Sequence, residues 1–157
     1  MSIRPFCEQD FPQIETIYAL SKLDELRFEP VRFQLLPLRE DPKRFAALKE
    51  SDIFVFEHPD DASKIMAFAA VCQSEIRNLF VHPLFRGNGI GKTLLTFLLQ
   101  RIPGPASLNV AKNNVPAIKL YQRFGFNIVD EFETQYNGTA VMANTMRQSE
   151  NLNYPAD

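Results

Sequence analysis

Apolar side chains recur every four residues at Ile90, Leu94, Leu98 and Ile102, with Leu95 and Leu99 filling in and Lys92, Thr93, Thr96 and Gln100 on the opposite side. This spacing predicts an amphipathic helix with a wide buried face, ended by Pro103-Gly104-Pro105. A second helix is predicted between a cap at Asn113 or Asn114 and Gly125, with Pro116 in its first turn. Its apolar face is Ala117, Leu120, Tyr121 and Phe124. Two more helices are predicted nearer the start. One has Asp10 as N-cap, Pro12 in the first turn, and Ile14, Ile17 and Tyr18 at helical spacing. The other restarts at Asp41-Pro42 and runs to about Lys49, with Phe45 and Leu48 on one face. Between them, Lys22 to Arg39 has no clear period and is broken by Pro30 and Pro37.

The β-prone runs have a different rhythm. Ile3 to Phe6 reads as an edge strand, which Pro5 suits. Asp52 to Glu57 and Lys64 to Cys72 read as a hairpin around the turn formers of His58 to Ser63. Glu75 to Val81 is a third strand, stopped by His82-Pro83, and Ala106 to Val110 is a short fourth run. Phe126 to Phe132 and Thr139 to Met146 form a further hairpin, with Asn137-Gly138 as its type I′ turn signal. The order β-α-α-β-β-β-α-β-α-β-β predicts one α/β domain over residues 1–146, a mixed sheet with helices on both faces. A polar, loose tail is expected over 147–157.

Composition narrows the function classes. A chain of 157 residues that is 45% hydrophobic can build one real core. The net charge of −2 and the lack of a basic block argue against nucleic acid as a partner. Cys7 and Cys72 lack C-x-x-C spacing and read as two reduced, partly buried thiols, with a disulfide pair as the alternative. Neither a leader peptide nor an apolar run of the ~18 residues needed for a membrane span is seen, so a soluble, cytoplasmic protein is expected. His58 and His82 neighbour prolines without ligand-like spacing, and no metal site is expected.

The chemistry concentrates in Arg86-Gly87-Asn88-Gly89-Ile90-Gly91-Lys92, between a strand and a helix. Three glycines at alternate positions leave backbone N–H groups uncovered at a helix N-terminus, where the dipole favours an anion. Arg86 and Lys92 add positive charge at either end, and the chemistry suits a pyrophosphate. A Walker loop would need a glycine where Arg86 stands. A dinucleotide fingerprint would need one where Lys92 stands.

The spacing Arg86-x-x-Gly89-x-Gly91 resembles the cofactor signature of the GNAT superfamily of acyl-CoA-dependent N-acyltransferases. Downstream, Asn114-x-x-Ala117-x-x-x-Tyr121-x-x-x-Gly125-Phe126 is similar to that family's second signature, without a gap. The resemblance implies a central mixed, mostly antiparallel sheet whose fourth and fifth strands splay to admit the pantetheine arm of acetyl-CoA. It implies that backbone groups of Leu79, Phe80 and Val81 bond that arm and polarise the thioester carbonyl. Asn114 is an implied cofactor contact alongside its reading as a helix cap, and Asn109, on the preceding strand, either faces substrate or cofactor or terminates strand pairing. Tyr121 is the implied acid for the departing sulfur, as well as a residue of the apolar face. Glu75, opening the third strand of the middle region, is the candidate base, or else a solvated carboxylate beside Arg77.

The resemblance implies acetyl transfer to a primary amine by direct attack in a ternary complex. A non-catalytic acyl-CoA-binding sensor or interaction module on the same fold is the alternative. The acceptor, a small-molecule or protein amine, is implied to be shaped by Lys22 to Arg39. There Asp24, Glu25 and Glu29 would attract an amine, Arg27, Arg32 and Arg39 an acidic group, and Phe28 and Phe33 would line a pocket. Homodimerisation through the C-terminal strands is a further implication.

Overall fold

The computed structural model describes residues 2–149. Eleven elements follow one another: β1 (Ile3–Pro5), α1 (Phe11–Glu25), α2 (Pro42–Lys49), β2 (Asp52–His58), β3 (Asp61–Cys72), β4 (Glu75–Val81), α3 (Ile90–Arg101), β5 (Ser107–Ala111), α4 (Val115–Arg123), β6 (Phe126–Tyr136) and β7 (Thr139–Gln148). Short 3-10 turns precede α1, α2 and α3. The seven strands form one sheet in the order β1-β2-β3-β4-β5-β7-β6. Every pairing is antiparallel except β4 with β5, the pair joined through α3. The sheet is therefore mixed and mostly antiparallel, with helices on both faces.

Both faces are covered because β3 is apolar on both sides. Ala67, Ala69 and Val71 pack with α3 and α4, whereas Phe68 and Ala70 pack with α1 and α2. A strand buried on both faces reads as a continuous apolar run, which is how Ile65 to Val71 appears in the sequence. On the first face Leu94, Leu95 and Leu98 are fully buried under the sheet; on the second, Ile14, Ile17 and Tyr18 are. A third, smaller cluster of Leu26, Phe33, Tyr136 and Val141 fastens the α1–α2 connection to the β6–β7 hairpin.

Several boundaries differ from the sequence reading. The β6–β7 ladder runs from Tyr136↔Thr139 to Phe126↔Gln148, so β6 is four residues longer than expected. Gln148 closes β7, two residues into the expected tail, because its buried amide accepts from Ala106 N–H and donates to the Phe124 carbonyl. Residues 150–157 of that tail lie outside the described residues. Asn137 and Gly138 both have positive φ, 50° and 79°, as a type I′ turn requires.

Asp10 does not cap α1 with its side chain. Its carboxylate instead accepts from both terminal nitrogens of Arg4, at 2.8 and 2.9 Å, and from Cys7 N–H at 2.8 Å. Asp41 does cap α2, accepting from Arg44 N–H. Both thiols are free, and Cys7 is exposed rather than partly buried.

Candidate functional site

The register of β3 against β4 slips between Ala70↔Asn78 and Val71↔Ile76, leaving Arg77 as the extra residue of a bulge. A bulge bends its strand. Here β4 pairs with β5 only at Glu75↔Ser107 and Ile76↔Leu108, and beyond Ile76 the two strands part. The edge of β4 that faces β5 thus has no ladder partner along Asn78 to Val81. That strip of main-chain donors and acceptors borders a cleft of about 520 Å³. The cleft is lined by Leu79, Phe80 and Val81 on β4, Asn109 on β5, Asn114 and Tyr121 at α4, and Arg86, Gly87 and Gly91 at α3. Nine residues expected from the sequence are brought together there.

The cradle at one end is built from backbone. Gly87 and Gly89 have φ of 83° and 76°, the left-handed region that glycine enters freely. A Cβ on either would meet nothing within 4 Å, so their bare backbone opens onto space. Gly89 is the N-cap of the twelve-residue α3, whose first-turn N–H groups lack intrahelical partners. Donors, dipole and room coincide, and a pyrophosphate fits them. Within the loop, Asn88 donates its amide to the Phe85 carbonyl at 3.2 Å. Asn88, Gly89 and Lys92 are exposed and Ile90 is buried in the core, and none of the four lines the cleft.

Two expected side chains are held by partners within the protein. The Arg86 guanidinium turns to α1, where it is ion-paired with Asp24 and donates to Ser21 Oγ. Glu75 sits where β4 and β5 are still paired and does not line the cleft. Its carboxylate accepts from Arg77 Nε at 2.9 Å, the solvated pairing that the sequence offered as the alternative to a base.

Tyr121 lines the cleft and packs edge-on against Phe126, with ring centroids 5.8 Å apart. Burial, and then the nearby negative charge of Glu25, push its phenol well above the ordinary tyrosine value. Asn114 is the N-cap residue of α4 but makes no capping bond with its side chain. Asn109 Oδ1 accepts from Thr145 Oγ1 at 2.8 Å.

Glu25, with Asp24, was legible only as part of an acidic group in an unassigned segment. Both end α1 and line the cleft, and they are the carboxylates that do so among the described residues. Glu25 accepts from Lys22 at 2.5 Å. Of the other candidates of that segment Arg27 also lines the cleft, and the rest are dispersed. Glu29, Arg32 and Phe33 line a separate recess, Phe28 is exposed beneath the Arg27 guanidinium, and Arg39 is bonded to Glu15.

Each histidine serves a turn: His58 Nδ1 accepts from Asp60 N–H and His82 Nδ1 from Leu84 N–H. No cluster of three metal-ligating side chains occurs among the described residues, and no described helix is long and apolar enough to cross a membrane.

Comparison with known proteins gives a consistent picture. Residues 15–126 match the model of the acetyltransferase (GNAT) family. A 68-residue segment is 37% identical to spermine/spermidine N(1)-acetyltransferase of Bacillus subtilis strain 168, covering 40% of this chain and 43% of that protein. An 88-residue segment is 35% identical to peptidyl-lysine N-acetyltransferase YiaC of Escherichia coli K12, covering 55% and 58%. These matches span less than two thirds of either relative. Among solved structures, a GCN5-related N-acetyltransferase from Rhodopseudomonas palustris superposes with a TM-score of 0.75 at 19% identity, over 94% of both chains. YncA from Salmonella typhimurium, solved with its cofactor acetyl-CoA, superposes with a TM-score of 0.67 at 18% identity, over 100% of this chain and 98% of that one.

Proposed function

The chain belongs to the acetyltransferase (GNAT) family, and from that premise we propose that it transfers the acetyl group of acetyl-CoA to a primary amine by direct attack in a ternary complex. The observation that carries this reading is the parting of β4 from β5 beside a glycine cradle at the start of α3. Acetyl-CoA supplies the activated acyl group as a thioester. The N–H groups of Gly87 to Gly91 hold its pyrophosphate, and the unpaired edge of β4 at Leu79 to Val81 takes the pantetheine arm. N–H groups on that edge polarise the carbonyl as negative charge develops on its oxygen.

Tyr121 acts as the acid. A phenol held above its ordinary value keeps its proton at neutral pH and gives it to the departing sulfur. Glu25 receives the acceptor. Of the two cleft carboxylates Asp24 is held by Arg86, whereas Glu25 is the one whose charge bears on Tyr121. An ammonium drawn to Glu25 is therefore brought to the reacting end of the cleft, where it loses one proton to water before its lone pair attacks the carbonyl, and the proton its nitrogen sheds as the amide forms restores the Tyr121 phenol. Polyamines and lysine side chains, the acceptors named for the two relatives, share a primary amine on a flexible alkyl stem. That is the acceptor class we assign.

Thermal stability with acetyl-CoA, CoA or ATP, in the wild type and in Gly89→Trp, tests the cofactor. A ligand at 100 times its Kd adds about 2.7 kcal/mol. Stabilisation by both CoA species, lost in a folded Gly89→Trp, supports the reading, and no shift with either overturns it. Thiol release with spermidine and with a lysine peptide then tests transfer. CoA binding with turnover on no primary amine would leave a binding module.

A further inference from the structure

Each nitrogen of the Arg86 guanidinium makes one bond within the protein. Nε donates to the Val81 carbonyl at 3.0 Å, one terminal nitrogen donates to Ser21 Oγ at 3.2 Å, and the other is ion-paired with Asp24. Ser21 is buried, and Ser21 and Asp24 lie on the last turns of α1. Arg86 thus ties the loop after β4 to the end of the helix that carries Glu25 into the cleft. The three acceptors lie in different directions, and a planar fork reaches all of them where an ammonium on a flexible stem reaches fewer. To offer its full charge to a pyrophosphate, this side chain would have to give up its ion pair with Asp24 on α1. The backbone N–H groups of the neighbouring cradle serve one with no such exchange.

Resting on the reading that the cleft takes acetyl-CoA and an amine, we infer that Arg86 is a positioning residue for the acceptor side. It fixes the end of α1, and with it Glu25, and leaves the pyrophosphate to the backbone. The charge that the signature places beside the cofactor is in this chain spent on Asp24. Cofactor affinity and acceptor recognition are thereby separable at a single side chain.

The test uses the full chain as wild type, Arg86→Gln, Asp24→Asn, the double variant and Arg86→Lys. Three readouts are taken: CoA affinity by calorimetry, amide hydrogen exchange over the last turns of α1, and steady-state kinetics with spermidine and a lysine peptide. CoA Kd is expected to stay within about 3-fold throughout, while acceptor KM rises about 3- to 10-fold with kcat retained. Exchange at the end of α1 should speed up equally in both single variants, the double should be no worse than either, and Arg86→Lys should recover part of the loss.

A tenfold loss of CoA affinity in Arg86→Gln, with Asp24→Asn normal, would overturn the inference, and so would α1 exchange unaltered in Arg86→Gln. Lower thermal stability with KM unchanged would also overturn it, by making the contact merely structural. A wild type that binds no CoA and acetylates neither amine would reject the proposed function instead, and the exchange comparison would still decide the role of Arg86.

Discussion

The Nε of Arg77 donates to Oε1 of Glu75 at 2.9 Å, and the same guanidinium reaches Glu50 and the Ala47 carbonyl. Arg77 is the bulge residue of β4 and lines the cleft, while its partners Ala47 and Glu50 lie at the end of α2, outside it. Glu75 is drawn along with it. Removing a general base costs roughly 10²- to 10⁴-fold in rate. Glu75→Gln is instead expected to hold kcat/KM within about 3-fold and to leave the acid limb of the pH–rate profile in place. Stability should change by less than about 1 kcal/mol, since the carboxylate is 41% exposed. A hundredfold loss would restore Glu75 as the base.

Tyr121→Phe removes a proton donor without changing shape. The expected result is a fall in kcat of about 10²-fold with CoA affinity unchanged. The pH dependence has a definite sign. The folded phenol is held above its ordinary value, so it stays protonated at pH values where a free tyrosine ionises. Wild-type kcat should therefore not fall as pH approaches about 10, the ordinary tyrosine value. Stopped-flow thiol release across that range checks both statements, and an alkaline limb below pH 9 that vanishes in Tyr121→Phe would contradict the assignment.

The sequence carried the elements because they rest on local signals. The four-residue recurrence through α3, the Asn137-Gly138 turn and the apolar run of β3 each follow from chain geometry alone. The site was legible wherever its function resides in backbone, as with the glycines of the cradle, since only glycine enters that conformation freely. It was not legible where a long side chain chooses among partners in three dimensions. Arg86 and Glu75 both read as site residues by position, yet Asp24, 62 residues away from Arg86, and the bulged Arg77 decide where they point. Glu25 was legible as one of three acidic residues of the acceptor segment, but not as one that lines the cleft. It ends a helix whose direction is set by the packing of Ile14, Ile17 and Tyr18, and no local pattern reports that it lines one cleft with Tyr121.

Asp10 sets an acid-sensitive contribution to stability. The side-chain hydrogen bonds from Arg4 come first among the causes that hold its carboxyl below the usual carboxylate value, and burial opposes them. Because the folded value is the lower one, the unfolded chain takes up its proton first as pH falls. The stabilisation is thus complete above the unfolded value near 4 and is lost as pH drops through the folded one. Asp10→Asn should cost about 1–3 kcal/mol at pH 7, where it loosens Arg4 and the Cys7 N–H. It should also flatten the fall in stability below pH 4. Urea denaturation from pH 7 to pH 3 measures both, and parallel curves for the two proteins would refute the linkage.

Tyr136 fastens the α1–α2 connection from the far hairpin. Its buried phenol accepts from Leu36 N–H at 2.7 Å and donates to the Leu36 carbonyl at 3.2 Å. The guanidinium of Arg44 and the ammonium of Lys22 lie over its ring, at 5.0 and 5.2 Å from the centroid. Lys22 is the partner of Glu25, so the ring reaches the cleft through one intermediary. Tyr136→Phe keeps the ring and deletes only the hydroxyl, leaving both Leu36 backbone groups without that partner. A loss of about 1–3 kcal/mol follows, lowering Tm by several degrees. Tyr136→Ala also removes the ring from its contact with Phe33 and should cost about 3–5 kcal/mol. Exchange of the Leu36 amide should accelerate in both variants. Acceptor KM should rise in both while CoA Kd holds, because the cradle at Gly87 to Gly91 touches none of these groups. A variant that lost CoA affinity and acceptor affinity together would show that the hairpin supports the whole cleft rather than its acceptor side.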